Sequence, residues 1–306
     1  LADELRCAGR AARVRQALRK TRIGLLPAQD GLVQSSFTDP TRLMADFGPL
    51  VEEIPAEEFQ RAAAGLAQAR VERYAGQLRE RFNVSEVSDA QLENAARTAM
   101  GLARLAEERR LDVLAVSDSA PGLGGECGTC PSLYPTWLAP QGALYQPVAE
   151  LGAAAANRIL RLLTGSPTML LELWFWDEPR NLLAGGHLGL QNPDLAAPGK
   201  VSVSAYRSLL RPGGGGGIQF EMMARAGRVT LFQLRAAPGG WQAIAATGMC
   251  LEGPAWVKGY THAVVRLDAR LDHFLNQVAA VGAARHWILA YGSVIDELEA
   301  LCQMNR

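Results

Sequence analysis

The sequence has few of the features that mark a membrane or a secreted protein. Its longest apolar stretch, residues 168–176, is interrupted by Glu172. It falls far short of the ~20 residues that a membrane-spanning helix needs. The first ten residues carry charges and contain no apolar segment of the kind that a secretory signal has. We therefore predict no membrane association and a cytoplasmic location.

The sequence also has no excess of positive over negative charge. Lys and Arg number 31 and Asp and Glu number 31, so the formal net charge is zero. A chain without a positive field is poorly suited to hold a polyanion, which argues against nucleic acid as a partner. At 306 residues and 48% apolar composition, the chain has enough material for about two domains.

The five cysteines are an odd number and do not form a disulfide framework. We expect Cys7, Cys250 and Cys302 to be free thiols that pack against other side chains. Cys127 and Cys130 form a Cys-x-x-Cys pair in a glycine-rich loop, a spacing that can bind zinc or cycle as a redox pair. A closed zinc site needs four ligands and there is no second Cys-x-x-Cys, so a thiol that faces a substrate is the other role left open.

The apolar pattern changes between the two halves of the chain. In the first half, short apolar runs at 22–27 and 112–117 alternate with helical patterns, a long one over 57–82 and another from Ser88. This alternation predicts a parallel sheet covered by helices. After a predicted helix over 149–163, strand patterns separated by glycine-containing turns indicate antiparallel sheet, with helical patterns near the end. We place the boundary between residues 1–148 and 149–306.

Few residues can carry chemistry, because the chain has only four histidines. Glu172 lies within the most apolar segment, where a buried carboxylate must be paired, protonated or bound to a metal; alternatively it faces solvent from an edge strand. His187 follows Gly185 and Gly186, which let a ligand approach the backbone closely. His286 lies where a helix meets a buried strand.

Each histidine also has a purely structural interpretation. His187 and His286 are then core histidines, and His262 and His273 are expected at the surface or behind other site residues. Two histidines with one or two carboxylates would form a mixed nitrogen and oxygen site that suits a divalent ion such as Mn²⁺.

Several motifs together resemble those of one enzyme family. Leu163-Thr164-Gly165, a carboxylate in an apolar strand, and then Asn181 and Gly185-Gly186-His187 resemble a run in which a metal-binding Glu precedes Gly-Ser-His. The segment 285–292, followed by Asp296-Glu297-Leu298, resembles a closing motif that holds the last metal-binding histidine. The chain resembles the L-arabinose/L-fucose isomerase family over nearly its whole length.

The resemblance implies a fold and a ligand set. The fold is α/β, with a Rossmann-like parallel sheet domain followed by a mainly antiparallel, barrel-like β domain with helices. The ligands are Glu172, His187 and His286, and the ion is Mn²⁺ or another divalent metal such as Mg²⁺ or Co²⁺. A small-molecule sugar substrate and a homo-oligomer, either a trimer or a hexamer, are implied as well.

The sequence departs from the family at the first ligand. The family has a Glu-Gly-Asp triplet before the helix that ends in Leu-Thr-Gly, and its Glu is both ligand and catalytic base. Here the triplet reads Val148-Ala149-Glu150, so Val148 replaces that Glu. Glu150 is therefore the candidate for the missing carboxylate, as fourth metal ligand and second acid/base. The family's N-terminal domain is also missing from this sequence, so we expect either a fragment or a shortened architecture.

The chemistry expected from the resemblance is aldose–ketose isomerisation. A divalent ion polarises the sugar carbonyl, and a carboxylate moves a proton between adjacent carbons through an enediol. Glu172 is the expected base. Two alternatives are a non-catalytic relative that binds a sugar or a metal, and a different metal enzyme that uses Cys127 or Cys130.

Overall fold

A four-stranded parallel sheet forms in the first half of the chain, as the alternating pattern predicts. The computed structural model describes residues 2–29, 37–117, 143–189, 191–206 and 217–305. Neighbouring strands pair in parallel in the order β2-β1-β4-β5. The strands are β1 (Arg22–Leu26), β2 (Leu50–Glu53), β4 (Val113–Val116) and β5 (Leu144–Pro147). β4 is buried throughout, which explains its unbroken apolar sequence.

Five helices lie among the described residues of this half. They are α1 (Ala2–Leu18), α2 (Pro40–Phe47), α3 (Ala56–Ala64), α4 (Gln68–Arg81) and α5 (Asp89–Glu108). The single helix predicted over 57–82 is wrong, because the chain breaks into α3 and α4 after Gly65. Phe59 of α3 packs near Leu102, whereas Val71 of α4 packs near Leu92. The two helices therefore cover different parts of α5, while their apolar spacing continues across the break.

A closed antiparallel barrel of six strands forms in the second half. The order around it is β11-β10-β13-β6-β7-β12, and β12 pairs with β11 to close the ring. Its interior holds one apolar cluster to which all six strands contribute, including Leu171, Leu183 and Trp287. The strands are β6 (Thr168–Asp177), β7 (Leu182–Leu188), β10 (Gly227–Ala237), β11 (Gly240–Cys250), β12 (Tyr260–Leu267) and β13 (His286–Tyr291). The expected antiparallel, barrel-like β domain is confirmed.

Three further strands extend this sheet from β12. β9 (Ile218–Met223) pairs in parallel with β12, β8 (Ser202–Ala205) is antiparallel to β9, and β3 (Asn83–Glu86) is parallel to β8. β3 comes from the first half of the chain, so pairing crosses the proposed boundary at residue 148.

Helix α6 (Leu151–Thr164) packs between the parallel sheet and the barrel. Its alanines share an apolar cluster with Ile23 of β1 and with Ile288 of β13. A Cβ on Gly152 would meet the Leu234 carbonyl oxygen of β10 at 2.5 Å, so the small residue allows close packing. The other described α-helices are α7 (Leu271–Ala280) and α8 (Ile295–Met304), and α8 packs on α1.

The described cysteines and helices bear on two sequence predictions. Cys250 is buried, as expected, and Cys7 is half-buried, but Cys302 on α8 is exposed, so its prediction as a packing residue is wrong. Cys7 and Cys250 are free thiols, whereas Cys127 and Cys130 lie outside the described residues. Within the described ranges, no helix has both the length and the apolar character that crossing a bilayer requires.

Candidate metal centre

Three adjacent strands of the barrel carry the predicted ligands. His286, the first residue of β13, lies opposite Glu172 of β6, and Glu172 lies opposite Gly186 of β7, immediately before His187. β6 is paired on both sides, so the alternative in which Glu172 faces solvent from an edge strand is wrong. The structure therefore brings together three residues that are far apart in the sequence.

The side chains of Glu172, His187 and His286 form a compact group. Glu172 Oε1 lies 3.4 Å from His286 Nε2 and 3.9 Å from His187 Nε2. One ligand atom from each residue lies within 4.8 Å of the other two. The side chain of Glu172 is 18% exposed, and both histidines are buried. The group is a mixed set of one oxygen and two nitrogen donors.

Two glycines allow β7 to approach its neighbours closely at this point. A Cβ on Gly185 would collide with the Glu172 carbonyl oxygen, and a Cβ on Gly186 would lie 2.6 Å from the Trp174 ring. The β6–β7 register also shifts between Leu173 and Phe175, as at a β-bulge. The Gly-Gly-His sequence is thus explained by close packing of backbone beside the donor group.

The environment sets opposite charge states on these side chains. Burial favours the neutral form of Glu172, but hydrogen bonds from His286 and Arg285 outweigh it and lower its pKa to about 2. Burial, followed by the charge on His286, lowers the pKa of His187 to about 3. Burial also opposes charge on His286, but hydrogen bonds to Glu150 and Glu172 raise its pKa to about 9. At neutral pH the metal-free site therefore holds an ionised carboxylate, a neutral imidazole and an imidazolium.

The donor group fits a divalent ion. Among the described residues, Nδ1 of His187 is buried with no hydrogen-bond partner, and its Nε2 is 3.9 Å from Glu172, which is too far for a hydrogen bond. A neutral buried imidazole without such bonds is costly unless something binds it. Two ligands on one ion, with bonds of about 2.1 Å, lie roughly 3–3.5 Å apart. Two imidazoles and a carboxylate are a donor set typical of divalent transition metals.

Glu150 lies elsewhere than the sequence predicts. Its Oε2 is 2.6 Å from Nδ1 of His286, the ring nitrogen that faces away from Glu172. It is not in the three-residue donor group, so the structure does not bring it into position as a fourth ligand. Val148, which the sequence resemblance aligns with a metal-binding Glu, is buried in the apolar cluster around α6.

Arg285 is a site residue that the sequence reasoning missed. Its Nε lies 2.6 Å from Glu172 Oε1, and its side chain is 59% exposed. A cation immediately before the predicted ligand His286 was the available signal. Arg285 thus holds the carboxylate from the solvent side.

The other two histidines lie apart from the donor group. His273 is exposed, in agreement with its prediction. His262 is fully buried, with its ring against Trp256 at a centroid distance of 4.8 Å. Of the two places expected for it, at the surface or behind other site residues, the surface is therefore wrong. The aromatic ring of Trp256 covers His262.

No family model matches the chain, and no curated protein matches it either. The fold and site therefore define an α/β protein with a parallel sheet, a closed antiparallel barrel and a candidate metal centre on the barrel.

Proposed function

We propose that the protein is a metal-dependent aldose–ketose isomerase, or a close relative, whose divalent ion is held by Glu172, His187 and His286. The observation that carries this proposal is the meeting of one carboxylate and two imidazoles from three adjacent strands. The resemblance to the L-arabinose/L-fucose isomerase family supplies the reaction type. In this proposal the parallel sheet is the family's Rossmann-like domain, and the protein is a cytoplasmic homo-oligomer, either a trimer or a hexamer.

In the proposed reaction the metal ion, Glu172 and His187 have separate roles. A bound Mn²⁺, Mg²⁺ or Co²⁺ supplies Lewis acidity toward the carbonyl of a sugar. Glu172 is ionised at neutral pH, so it is able to accept the proton from carbon 2 of the aldose and return it to carbon 1. The proton of the hydroxyl on carbon 2 passes to the oxygen on carbon 1 in the same conversion. His187 is neutral, which leaves a ring nitrogen free to bind.

A second candidate function is metal or sugar binding without turnover. Val148 replaces the family's first carboxylate, and Glu150 is already engaged with His286. Glu172 is then the one carboxylate of the donor group, where the family uses two. The further alternative, an enzyme that uses Cys127 or Cys130, concerns residues outside the described ranges.

Metal content tests the site. The protein is purified with Mn²⁺ supplied, and bound metal is measured by elemental analysis beside His187→Ala and His286→Ala. His273→Ala serves as the matched control, because it removes an exposed histidine that is not part of the donor group. We expect near-stoichiometric metal in the unmodified chain and in the control, and loss in the two site variants. Absence of metal from the unmodified chain would contradict the proposal.

Turnover then separates the two candidate functions. The Mn²⁺-loaded protein is incubated with a panel of aldoses in D₂O, and ketose formation and deuterium incorporation at carbon 1 of the ketose are followed by NMR. We expect both signals, and their loss in Glu172→Gln but not in the exposed control Glu299→Gln. Metal binding with no exchange on any aldose would favour the non-catalytic candidate. Loss of turnover in Cys127→Ala would favour the thiol enzyme.

A further inference from the structure

Glu150 and His286 form a buried pair on the far side of the imidazole ring from the donor group. Glu150 Oε2 lies 2.6 Å from Nδ1, while Nε2 of the same ring faces Glu172 at 3.4 Å. The side chains of Glu150 and His286 are 4% and 2% exposed. A contact this short between two groups shielded from water indicates a strong charge-assisted hydrogen bond.

Strand geometry explains why these two residues meet. Ile288 lies two residues after His286 on β13, and Leu170 lies two residues before Glu172 on β6; both belong to the apolar cluster around α6. Because side chains two apart along a strand share a face, His286 and Glu172 lie on the barrel face that α6 covers. Glu150 stands at the start of α6, beside that face.

The side chain of Glu150 does not serve its own helix. It precedes the first residue of α6, a position where side chains often accept a hydrogen bond from the first turn, but it makes no such bond. Its backbone carbonyl accepts from the Ala154 amide at 2.9 Å, the ordinary first bond of the helix. Its carboxylate instead contacts His286.

The backbone that delivers Glu150 is strained. Val148 and Ala149 have φ values of 72° and 42°, in the left-handed region, and both are buried. For non-glycine residues this conformation is unfavourable, and such strain persists where the surrounding structure enforces it. It turns the chain sharply from the end of β5 into α6.

We infer that Glu150 is a positioning residue for the metal centre. It accepts a hydrogen bond from Nδ1–H of His286 and so fixes the tautomer in which Nε2 carries the free lone pair. The inference rests on the metal site of the proposed function, and it replaces the ligand and acid/base roles predicted for Glu150. A carboxylate in this place also makes the ring a stronger ligand.

Metal affinity tests this role. Mn²⁺ binding is measured by calorimetry for the unmodified chain, for Glu150→Gln and for Glu297→Gln. Glu297 is a matched control because it is also buried, but it pairs with Arg10 on α1. We expect Glu150→Gln to weaken Mn²⁺ binding by about 10- to 100-fold. The control should bind like the unmodified chain.

Three results are distinguishable. Unchanged affinity in a folded Glu150→Gln variant would overturn the positioning role and leave the metal site standing. No binding by the unmodified chain would overturn the proposed function and this role with it. An equal loss in both variants would show general destabilisation and overturn the specific role.

A spectroscopic measurement on the unmodified chain does not depend on how the variant folds. With ¹⁵N-labelled histidine and diamagnetic Zn²⁺ as the probe, NMR reports which nitrogen of His286 carries the proton. We expect a protonated Nδ1 and a metal-bound Nε2. Binding of Zn²⁺ through Nδ1 would overturn the inference.

Discussion

His286 and Glu172 face each other across the ladder between β13 and β6, with Nε2 of the histidine 3.4 Å from Oε1 of the glutamate. Together with Glu150 they form a row in which one imidazole separates two carboxylates. In the metal-free protein His286 is protonated and contacts both carboxylates. A metal cation that binds Nε2 of this ring must therefore displace a proton. Metal binding and protonation therefore compete at a single ring.

Arg285 competes with the metal for Glu172. Because its guanidinium contacts Glu172 Oε1 and carries a positive charge beside the donor group, we expect Arg285→Gln to tighten Mn²⁺ binding by roughly 2- to 10-fold. The matched control is Arg270→Gln, which removes an exposed arginine paired with Asp272. Calorimetry of both variants checks the prediction. Weaker binding in Arg285→Gln would show that this arginine holds Glu172 in place for the metal.

The metal-free protein should be most stable near pH 6.5. His187, whose pKa falls from 6.5 to about 3, binds a proton more readily when unfolded, so stability rises with pH up to 6.5. His286, whose pKa rises from 6.5 to about 9, contributes stability that is fully present below 6.5 and is lost as pH rises through 9. Glu172, with its pKa lowered from 4.5 to about 2, loses its contribution as pH falls through 2.

Urea unfolding of the metal-free protein at a series of pH values measures this profile. In His286→Gln the decline in the free energy of unfolding between pH 6.5 and 9 should disappear. A profile that keeps its alkaline decline in this variant would assign the decline to other groups.

Gly186→Ala should destabilise the protein and abolish metal binding. The added methyl would lie 2.6 Å from the Trp174 ring and would also collide with the Thr261 carbonyl oxygen, so β7 must move away from β6 and β12. We expect a loss of about 2–4 kcal/mol in the free energy of unfolding. Gly76→Ala on α4, where a Cβ meets nothing within 4 Å, should be neutral or stabilising by up to about 1 kcal/mol. Equal effects of the two substitutions would contradict the packing argument.

Asn181 links the β6–β7 turn to the start of α7 through hydrogen bonds. Its φ is 55°, its Nδ2 donates to the carbonyls of Leu267 and Ala269, and its Oδ1 accepts from the Leu271 amide. Asn181→Ala loses these bonds and keeps the left-handed backbone, so we expect it to lower the free energy of unfolding by about 2–3 kcal/mol. Asn181→Gly, which removes the same bonds but relieves the backbone, should lose less. Thermal unfolding of both variants makes the comparison.

Apolar runs and helix-capping residues in the sequence predicted those strands and helices whose burial or ends leave a local signal. β1 and β4 stand out because they are covered on both faces, and α5 because Ser88 and Gln91 form a capping box at its start. The break between α3 and α4 escaped prediction because the apolar spacing continues across Gly65. Closure of the barrel through β11 and β12 has no local signal, since it depends on how the whole sheet curves.

Some residues of the candidate site were predictable from local sequence, and the position of one was not. Glu172 is conspicuous as a charge within an apolar strand, and His187 as a histidine after two glycines. The position of Glu150 could not be predicted, because its partner is 136 residues away and its approach requires left-handed backbone at Val148, a conformation that β-branched residues disfavour. Distance in sequence and backbone strain both hide such a contact from pattern reasoning.

The barrel is closed by a short seam in which three residue pairs join β11 to β12, from Gly248–Leu267 to Cys250–Val265. The donor group lies across the ring from β11, on β13, β6 and β7. Thermal opening of a sheet begins where the fewest ladder bonds must break, so the seam is where this barrel would come apart in native-state fluctuations. Amide protons of the seam would exchange with solvent sooner than those of β6. The strands β13, β6 and β7, which carry the donors, would stay paired with one another when β11 separates from β12.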